Sequence, residues 1–98
     1  MKLAFTAAAR RDLYEVGDYI ARDSRRQALR FVAALEGFCA NLLAQPERYP
    51  ILTHRADREI RRAPYADYLV FYRVSESTVE VLRVIHAARD VGRIVDEL

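Results

Sequence analysis

Cationic side chains run through the most hydrophobic part of the sequence. The segment 68–90 reads YLVFYRVSESTVEVLRVIHAARD and carries Arg73, Arg83, His86 and Arg89 among apolar residues. A guanidinium group binds phosphate or carboxylate through paired hydrogen bonds, and histidine exchanges a proton near neutral pH. The segment therefore fits an enzyme that cuts RNA, a surface that binds an acidic protein, or an ordinary domain whose arginines pair with its own carboxylates.

No other chemistry stands out. The sequence has no glycine-rich phosphate loop, and His54 and His86 stand apart from any cluster with metal-ligand spacing. Neither Ser24 nor Cys39 has a neighbouring base that would activate it as a nucleophile. Cys39 falls on an apolar stripe, which predicts a position in the core. We expect no metal and no cofactor.

Length and composition indicate one soluble domain. The chain has 98 residues, of which 52% are hydrophobic and 31% charged, so we expect a single domain over residues 1–98. No apolar stretch is long enough to span a bilayer, and Arg10 comes too early for a signal peptide. A single cysteine allows no disulfide framework. We therefore expect a cytoplasmic protein without a membrane partner.

Arginine supplies nearly all of the positive charge. The chain has 16 lysine and arginine residues, and Lys2 is the only lysine. Two explanations stay open: a GC-rich genome favours arginine codons, and arginine suits acidic protein partners. Because the formal net charge is only +2, direct binding to nucleic acid is not expected.

Hydrophobic periodicity predicts an α+β fold. Thr6 can cap a first helix, and Asp23 or Ser24 can cap a second, so the two form a helical hairpin. The predicted elements are a strand at 2–5, helices at 7–22 and 25–45, strands at 59–63, 67–75 and 78–87, and a short C-terminal helix within 90–98 that places Val91, Ile94 and Val95 on one side. The last three strands should form an antiparallel meander in one sheet.

The last two strands predict a register. If Ser75 faces Thr78 across the turn, Arg73 lies opposite Glu80 and can pair with it. The further predicted pairs are Phe71 with Leu82, Leu69 with Val84 and Asp67 with His86. The other face then carries Arg83 together with the apolar side chains of Tyr68, Val70, Tyr72, Val74, Val79, Val81 and Ile85.

Arg83 is the charge that this register leaves alone. An unpaired guanidinium among apolar side chains is costly. Two interpretations stay open: an ion pair with Asp12 or Glu15 of the first helix, or a role in binding a partner. Arg61 and Arg62 occupy consecutive strand positions, so they point to opposite faces and an inward-facing one needs a partner.

The order of these elements resembles the ParE/RelE superfamily of bacterial type II toxins. The resemblance covers nearly the whole chain and is strongest in IRRAPYADYLVFYRVSESTVEVLRVIHAARD, whose FYRV strand, polar turn, VLRVIH strand and trailing ARD look like the ParE branch. The early TAAARRDLYEVGDYIA is similar to the opening helix of that branch, and LLAQPERYP to the end of its second helix.

The RelE-like branch cuts messenger RNA in the ribosomal A site, which needs cationic and acid–base side chains around the scissile phosphate. The resemblance implies a basic residue after the tyrosine that opens the middle strand, and a tyrosine or histidine in the C-terminal tail. Here Leu69 follows Tyr68, and no tyrosine comes after Tyr72. We therefore expect no catalytic residues. The alternative is a nuclease that would use Arg83, His86 and Arg89.

The ParE-like branch implies a protein that traps DNA gyrase on cleaved DNA and blocks replication. Such a role needs an exposed surface of cations and aromatic rings. The candidate target-binding residues are Arg61, Arg62, Arg83, His86 and Arg89, with Tyr65, Tyr68 and Tyr72 as the aromatic residues.

The resemblance also implies a ParD-like antitoxin of the ribbon-helix-helix type with an acidic C-terminal tail. The tail would fold into an apolar groove between the helical hairpin and the sheet, giving a hetero-oligomer. The candidate antitoxin-binding residues are Arg10, Arg11, Leu13, Arg25, Arg26 and Tyr72. A non-toxic binding module that has lost its target remains a third alternative.

Overall fold

Strand β1 opens the chain and leads directly into the helical hairpin. The computed structural model describes residues 1–98. Its elements are β1 (Lys2–Phe5), α1 (Ala7–Ala21), α2 (Arg25–Asn41), a 3-10 segment (Thr53–Arg58), β2 (Arg61–Tyr65), β3 (Tyr68–Val74), β4 (Thr78–His86) and α3 (Val91–Asp96). None of the helices is long and apolar enough to cross a membrane.

The strands form one sheet in the order β1-β4-β3-β2. The predicted antiparallel meander of β2, β3 and β4 is confirmed. Strand β1 adds to the other side of β4 in a parallel pairing, with Phe5 opposite Val81 as its last pair. The predicted α+β class is therefore confirmed, and β4 is a central strand although it comes last.

Side-chain caps start both long helices where the sequence predicts them. The Thr6 hydroxyl accepts a hydrogen bond from the Ala9 N–H at 3.0 Å. Of the two candidates for the second cap, Ser24 is the one that caps α2. Its hydroxyl accepts a hydrogen bond from the Gln27 N–H at 3.2 Å. Each cap satisfies a backbone donor that has no partner inside the helix.

Two predicted boundaries were wrong. Helix α2 ends at Asn41 rather than near Gln45, and a turn follows. Strand β2 begins at Arg61 rather than at Glu59, because Glu59 has a left-handed backbone with φ of 52° and cannot continue an extended strand. Pro64 is tolerated within β2 because β2 lies at the edge of the sheet.

Each face of the sheet has its own core. The larger cluster lies between the sheet and the hairpin and includes Leu13, Leu35, Cys39 and Tyr72. The smaller cluster lies under α3, where Ile94 and Val95 are buried and Val91 packs against them as predicted. The alternation of Val70 and Phe71 between the two clusters reflects the two-residue period of a strand.

A β-bulge overturns part of the predicted hairpin register. Arg73 lies opposite Glu80 as predicted, but beyond Tyr72 the pairing shifts by one residue. The observed pairs are Phe71 with Arg83, Leu69 with Ile85, and Tyr68 with His86. The extra residue also exchanges two predicted faces, because Val84 joins the cluster under the hairpin and Ile85 joins the cluster under α3.

Candidate partner-binding surface

A row of aromatic rings follows the line where α2 meets the β2 side of the sheet. The aromatic row consists of Tyr49, Phe38, Tyr65, Phe31 and Tyr68. Successive ring centroids along it lie 6.2, 4.9, 5.8 and 5.6 Å apart, within the range of favourable tilted contacts. All these rings are half-buried and pack against the larger core, so the row presents apolar ring edges at the surface.

Arginines and cavities accompany the aromatic row along its length. At one end Arg48 lies 5.6 Å above the Tyr49 ring and lines a cavity of about 300 Å³ with Phe38. In the middle, Arg30 and Phe31 line an open depression of about 520 Å³. The row therefore combines apolar rings with cations that have solvent access, which is the surface that an acidic, amphipathic segment needs.

The other end of the aromatic row opens into a cavity of about 430 Å³ between α1 and the sheet. Tyr68, His86 and Arg89 line it together with Tyr19 and Arg22, and the carboxylates of Asp12, Glu15 and Asp18 line it as well. The His86 ring stands edge-on to Tyr68 with centroids 5.2 Å apart. The structure thus brings together two of the predicted target-binding residues, His86 and Arg89.

A hydrogen bond selects the tautomer of neutral His86, and burial shifts the pKa of Tyr68. Nδ1 of His86 accepts from the Ala88 N–H at 3.0 Å, so the neutral imidazole carries its proton on Nε2. Burial raises the pKa of Tyr68, and the neighbouring Tyr19 and Asp67 raise it further. Tyr68 therefore keeps its phenol proton at neutral pH and can donate a hydrogen bond into the cavity.

Arg83 is held inside the molecule by Asp12. Its Nε and Nη2 donate to the two carboxylate oxygens at 2.7 and 2.9 Å, and the Val84 N–H donates to the same carboxylate at 2.9 Å. These hydrogen bonds raise the pKa of Arg83, although burial opposes them. Of the two open interpretations, the ion pair with Asp12 is the one the structure contains, and Arg83 is not a free cation for a target or a phosphate.

The arginines of β2 point to opposite faces, as their spacing predicts. Arg61 donates to the carbonyl oxygens of Tyr49 at 2.6 Å and Glu47 at 3.2 Å, so it fastens the loop after α2. Arg62 is exposed on the α3 side. The target-binding candidates therefore do not form one patch.

The predicted Arg73–Glu80 ion pair was also wrong, because the two residues are paired in the sheet without a contact between their charges.

Two of the predicted antitoxin anchors are core residues. Tyr72 is fully buried and its hydroxyl donates to the Pro46 carbonyl at 2.7 Å, while Leu13 belongs to the buried cluster under the hairpin. Their selection as antitoxin-binding residues was wrong, because the apolar faces of helix and strand pack on each other and bury both side chains. The four helical arginines predicted with them, Arg10, Arg11, Arg25 and Arg26, are exposed.

Sequence reasoning assigned no binding role to Phe31, Phe38, Arg30 or Arg48. Phe31 and Phe38 are two helical turns apart in the sequence of α2. Their seven-residue spacing shows that they share a helix face, but not that this face continues onto Tyr65. The structure shows no cluster of histidine, cysteine, aspartate or glutamate side chains that could hold a metal ion.

Comparison with known proteins assigns the chain to a family. A sequence model described as the ParE toxin of the type II toxin–antitoxin system parDE matches residues 3–91. No curated protein sequence matches the chain. The chain is similar to a solved structure of the chromosomal ParDE TA system from P. aeruginosa, with a TM-score of 0.74 and 19% identity over 88% of this chain and 95% of that one.

A second similar structure is that of the RelBE2 toxin–antitoxin complex from Mycobacterium tuberculosis. Its TM-score is 0.65 at 29% identity, over 87% of this chain and 95% of that one. The structural matches agree with the strand, helical hairpin and meander described above. Because the sequence match extends over nearly the whole chain, this protein belongs to the ParE toxin family of type II toxin–antitoxin systems.

Proposed function

We propose that this toxin inhibits DNA gyrase and blocks replication, and that an acidic antitoxin tail neutralises it by docking along the aromatic row. The family match over residues 3–91 carries the proposal of a ParE-type target. The two similar solved structures are of toxin–antitoxin systems, which supports an antitoxin partner. We take that partner to be ParD-like, with a ribbon-helix-helix domain before the tail.

The surface chemistry supports the docking site for the antitoxin. Apolar side chains of a folded tail would contact the half-buried rings of the aromatic row. Its carboxylates would face Arg22, Arg30, Arg48 and Arg89, which border the same line of cavities and are exposed. In this proposal the half-buried aromatic residues take the place of Leu13 and Tyr72 as the apolar contacts of the tail.

The end of the aromatic row at His86 and Arg89 is the part we assign to gyrase. There an imidazole, a phenol and guanidinium groups border one cavity, with carboxylates of α1 on its helical side, whereas Arg62 stands on the other face of the sheet. A tail that runs along the row would cover this cavity. Neutralisation then follows from occlusion of the target-binding end.

Expression in bacteria tests the target. Inducing the chain without an antitoxin should cause filamentation, DNA-damage signalling and accumulated gyrase–DNA cleavage complexes. Arg89→Glu should abolish these complexes, and the matched change Arg62→Glu on the opposite face should leave them. Equal toxicity of the two variants would contradict the assignment of the gyrase site.

One observation favours testing the RelE-like alternative, a nuclease that cuts messenger RNA, in the same experiment. His86, Arg89 and Tyr68 line a single cavity, so an imidazole, a guanidinium and a phenol do come together. Arg83, the third residue of that alternative, is occupied by Asp12. Ribosome-dependent cuts in messenger RNA with unchanged DNA topology would establish the nuclease and refute gyrase inhibition. Unaffected growth at full expression would instead indicate a non-toxic binding module.

A charge reversal tests the docking site. Arg30→Glu and Arg48→Glu should each weaken binding of the cognate antitoxin's C-terminal fragment, because each places a negative charge beside the aromatic row. Arg26→Glu is the control, since Arg26 is exposed on α2 like Arg30 but lines none of the cavities along the row. Calorimetry would measure the affinities, and a larger loss for Arg26→Glu would place the tail elsewhere.

A further inference from the structure

The side chain of Arg55 ties helix α3 to the 3-10 segment that precedes β2. Its Nη1 donates to the main-chain oxygen of Val95 at 2.7 Å, and its Nη2 donates to that of Leu98 at 3.1 Å. Nε of the same guanidinium lies 3.6 Å from a carboxylate oxygen of Asp57. The Arg55 side chain is 13% exposed and each of its nitrogens has a partner within the chain. The task of this cation therefore lies inside the molecule.

Arg58 adds a hydrogen bond at the same end of α3. Its Nη1 donates to the main-chain oxygen of Leu98 at 2.7 Å. A helix leaves its last carbonyl groups short of partners, and the two arginines supply donors at that end. These three hydrogen bonds, from Arg55 and Arg58 to the main chain of α3 and the residues after it, are called the α3 clamp below.

A helix as short as α3 depends on contacts of this kind. It has six residues, Val91–Asp96, which make fewer than two turns. An isolated helix of that length does not form in water, because too few hydrogen bonds offset the ordering of its first turn. Ile94 and Val95 hold one face of α3 on the sheet, and the α3 clamp holds its C-terminal end. Loss of the last turn would leave no helix.

The other end of α3 is directly connected to Arg89. Residues 87–90 alone join β4 to α3. The Arg89 N–H donates to the His86 carbonyl at 3.0 Å, and the N–H of Val91, the first residue of α3, donates to the Arg89 carbonyl at 2.8 Å. The side chain of Asp90 caps the helix. The main chain of Arg89 is thus fixed by β4 on one side and by α3 on the other, so a displaced α3 would move it.

We propose that Arg55 is a positioning residue, which clamps α3 and so holds Arg89 at the cavity that Arg89 shares with Tyr68 and His86. The inference rests on the proposed role of that cavity in binding the target. Arg55 does not line the cavity itself. Its effect therefore passes through α3 and residues 87–90.

The forked shape of a guanidinium group suits this task. Two nitrogens of Arg55 reach the main-chain oxygens of two residues, Val95 and Leu98, that are three positions apart. A lysine ammonium presents a single nitrogen in place of two. Arg55→Lys keeps the charge but should hold α3 less firmly than arginine does, and more firmly than alanine.

NMR of the full chain tests the clamp, with urea unfolding to show that each variant is folded. Carbon chemical shifts report the fraction of chains in which α3 is helical. Arg55→Ala should lower this fraction to about one tenth, because it removes two hydrogen bonds from a charged donor, and the shifts of residues 87–90 should change with it. Arg93→Ala is the matched control, since Arg93 is exposed on α3 and takes part in no ion pair. Arg55→Lys should give an intermediate fraction.

The concentration dependence of gyrase–DNA cleavage complexes separates positioning from binding. If one tenth of the Arg55→Ala chains have α3 in place, half-maximal formation of the complexes should need about ten times more toxin, with the same maximum. Arg89→Glu, which removes a cation at the cavity itself, should not recover at any concentration. Ser24→Ala lowers stability at the hairpin and should leave both the α3 shifts and the half-maximal concentration unchanged.

Three results would overturn the inference. A wild-type fraction of helical α3 in Arg55→Ala would show that burial of Ile94 and Val95 holds the helix alone. Loss of α3 with unchanged shifts at Arg89 would show that the clamp does not position that residue. An unchanged half-maximal concentration after loss of α3 would do the same for target binding. If instead the wild-type chain forms no gyrase complexes while the shifts of α3 and Arg89 change together, the proposed target fails and the clamp stands.

Discussion

Asp12 is the one charged residue in the core, and its carboxylate has a specific structural task. Its side chain is 4% exposed and accepts from the guanidinium of Arg83 and from the Val84 N–H. Strand β1 pairs with β4 only as far as Val81. Beyond that point the backbone groups along this edge of β4 need other hydrogen-bond partners, and the Asp12 carboxylate of α1 is the partner of the Val84 N–H.

Asp12→Ala should therefore destabilise the protein by about 3 kcal/mol in urea unfolding, since it leaves the Arg83 charge without its partner. The value lies at the low end for buried pairs because the Arg83 side chain keeps 20% exposure. Adding Arg83→Met should recover part of the loss by removing that charge. Glu80→Ala, which breaks no ion pair, should cost less than about 1 kcal/mol. Equal losses for Asp12→Ala and Glu80→Ala would contradict this role.

Cys39 gives a second prediction at the residue scale. Burial, with a smaller contribution from Glu36, raises the pKa of its thiol from 9.0 to about 12. The native state keeps the thiol neutral while the unfolded chain releases its proton above pH 9, so this group favours unfolding as the pH rises from about 9 towards 12. At about pH 9 the native protein should resist iodoacetamide and the urea-unfolded protein should react completely, as mass spectrometry will show. Rapid labelling of the native chain would mean that Cys39 is accessible.

At the scale of elements, the bulge in β4 is hydrogen-bonded to the N-terminal cap of α1. The bulge residue Leu82 has its carbonyl bonded by the Thr6 hydroxyl at 2.8 Å, and the Thr6 oxygen also caps α1 by accepting from Ala9. Ser24 caps α2 in the same way but makes no second bond. Comparing a variant of each cap therefore separates two contributions to the free energy of unfolding: that of capping a helix, and that of the hydrogen bond to the bulge.

Thr6→Val should lower the free energy of unfolding by about 2 kcal/mol and Ser24→Ala by about 1 kcal/mol. A lost cap costs about 1 kcal/mol, and the additional lost hydrogen bond to Leu82 costs about 1 kcal/mol more. Urea denaturation of the two variants gives the comparison. Equal losses would show that the Thr6 hydroxyl contributes nothing to the bulge.

The sequence predicts these elements better than it predicts which face of the sheet each side chain lies on. Helical periodicity and the Thr6 and Ser24 caps depend on neighbours in the chain, and the SES turn fixes the pairing of Arg73 with Glu80. The bulge residue Leu82 is instead bonded by Thr6, which is remote in sequence. For that reason the alternation of the strand alone could not place Val84 and Ile85 on their correct faces.

The candidate site was only partly predictable for the same reason. His86 and Arg89 are three residues apart near the end of β4, so local sequence brings them together. The aromatic row joins rings from α2, the following loop, β2 and β3. Its existence depends on the packing angle of α2, and no local pattern reports that angle.

At the scale of the whole molecule, apolar contact should dominate the affinity of the antitoxin. Exposed ion pairs contribute about 0.2–1 kcal/mol each and are screened by salt. Raising the salt concentration from about 50 to 500 mM should therefore weaken binding of the antitoxin's C-terminal fragment by about ten- to thirtyfold and no more, with the larger effect on the association rate. A weakening of about a thousandfold or more would show that charge, rather than the aromatic row, holds the complex.

The pairing of β1 with β4 has a consequence for the synthesis of the toxin. Lys2 pairs with Thr78, and the Thr6 hydroxyl bonds a carbonyl 76 positions away, so β1 has no partner strand until β4 has been translated. A nascent chain that lacks β4 has neither core, and contacts between such distant segments form slowly. The fold of this toxin can therefore be completed only after β4 has been synthesised, however early the helical hairpin forms.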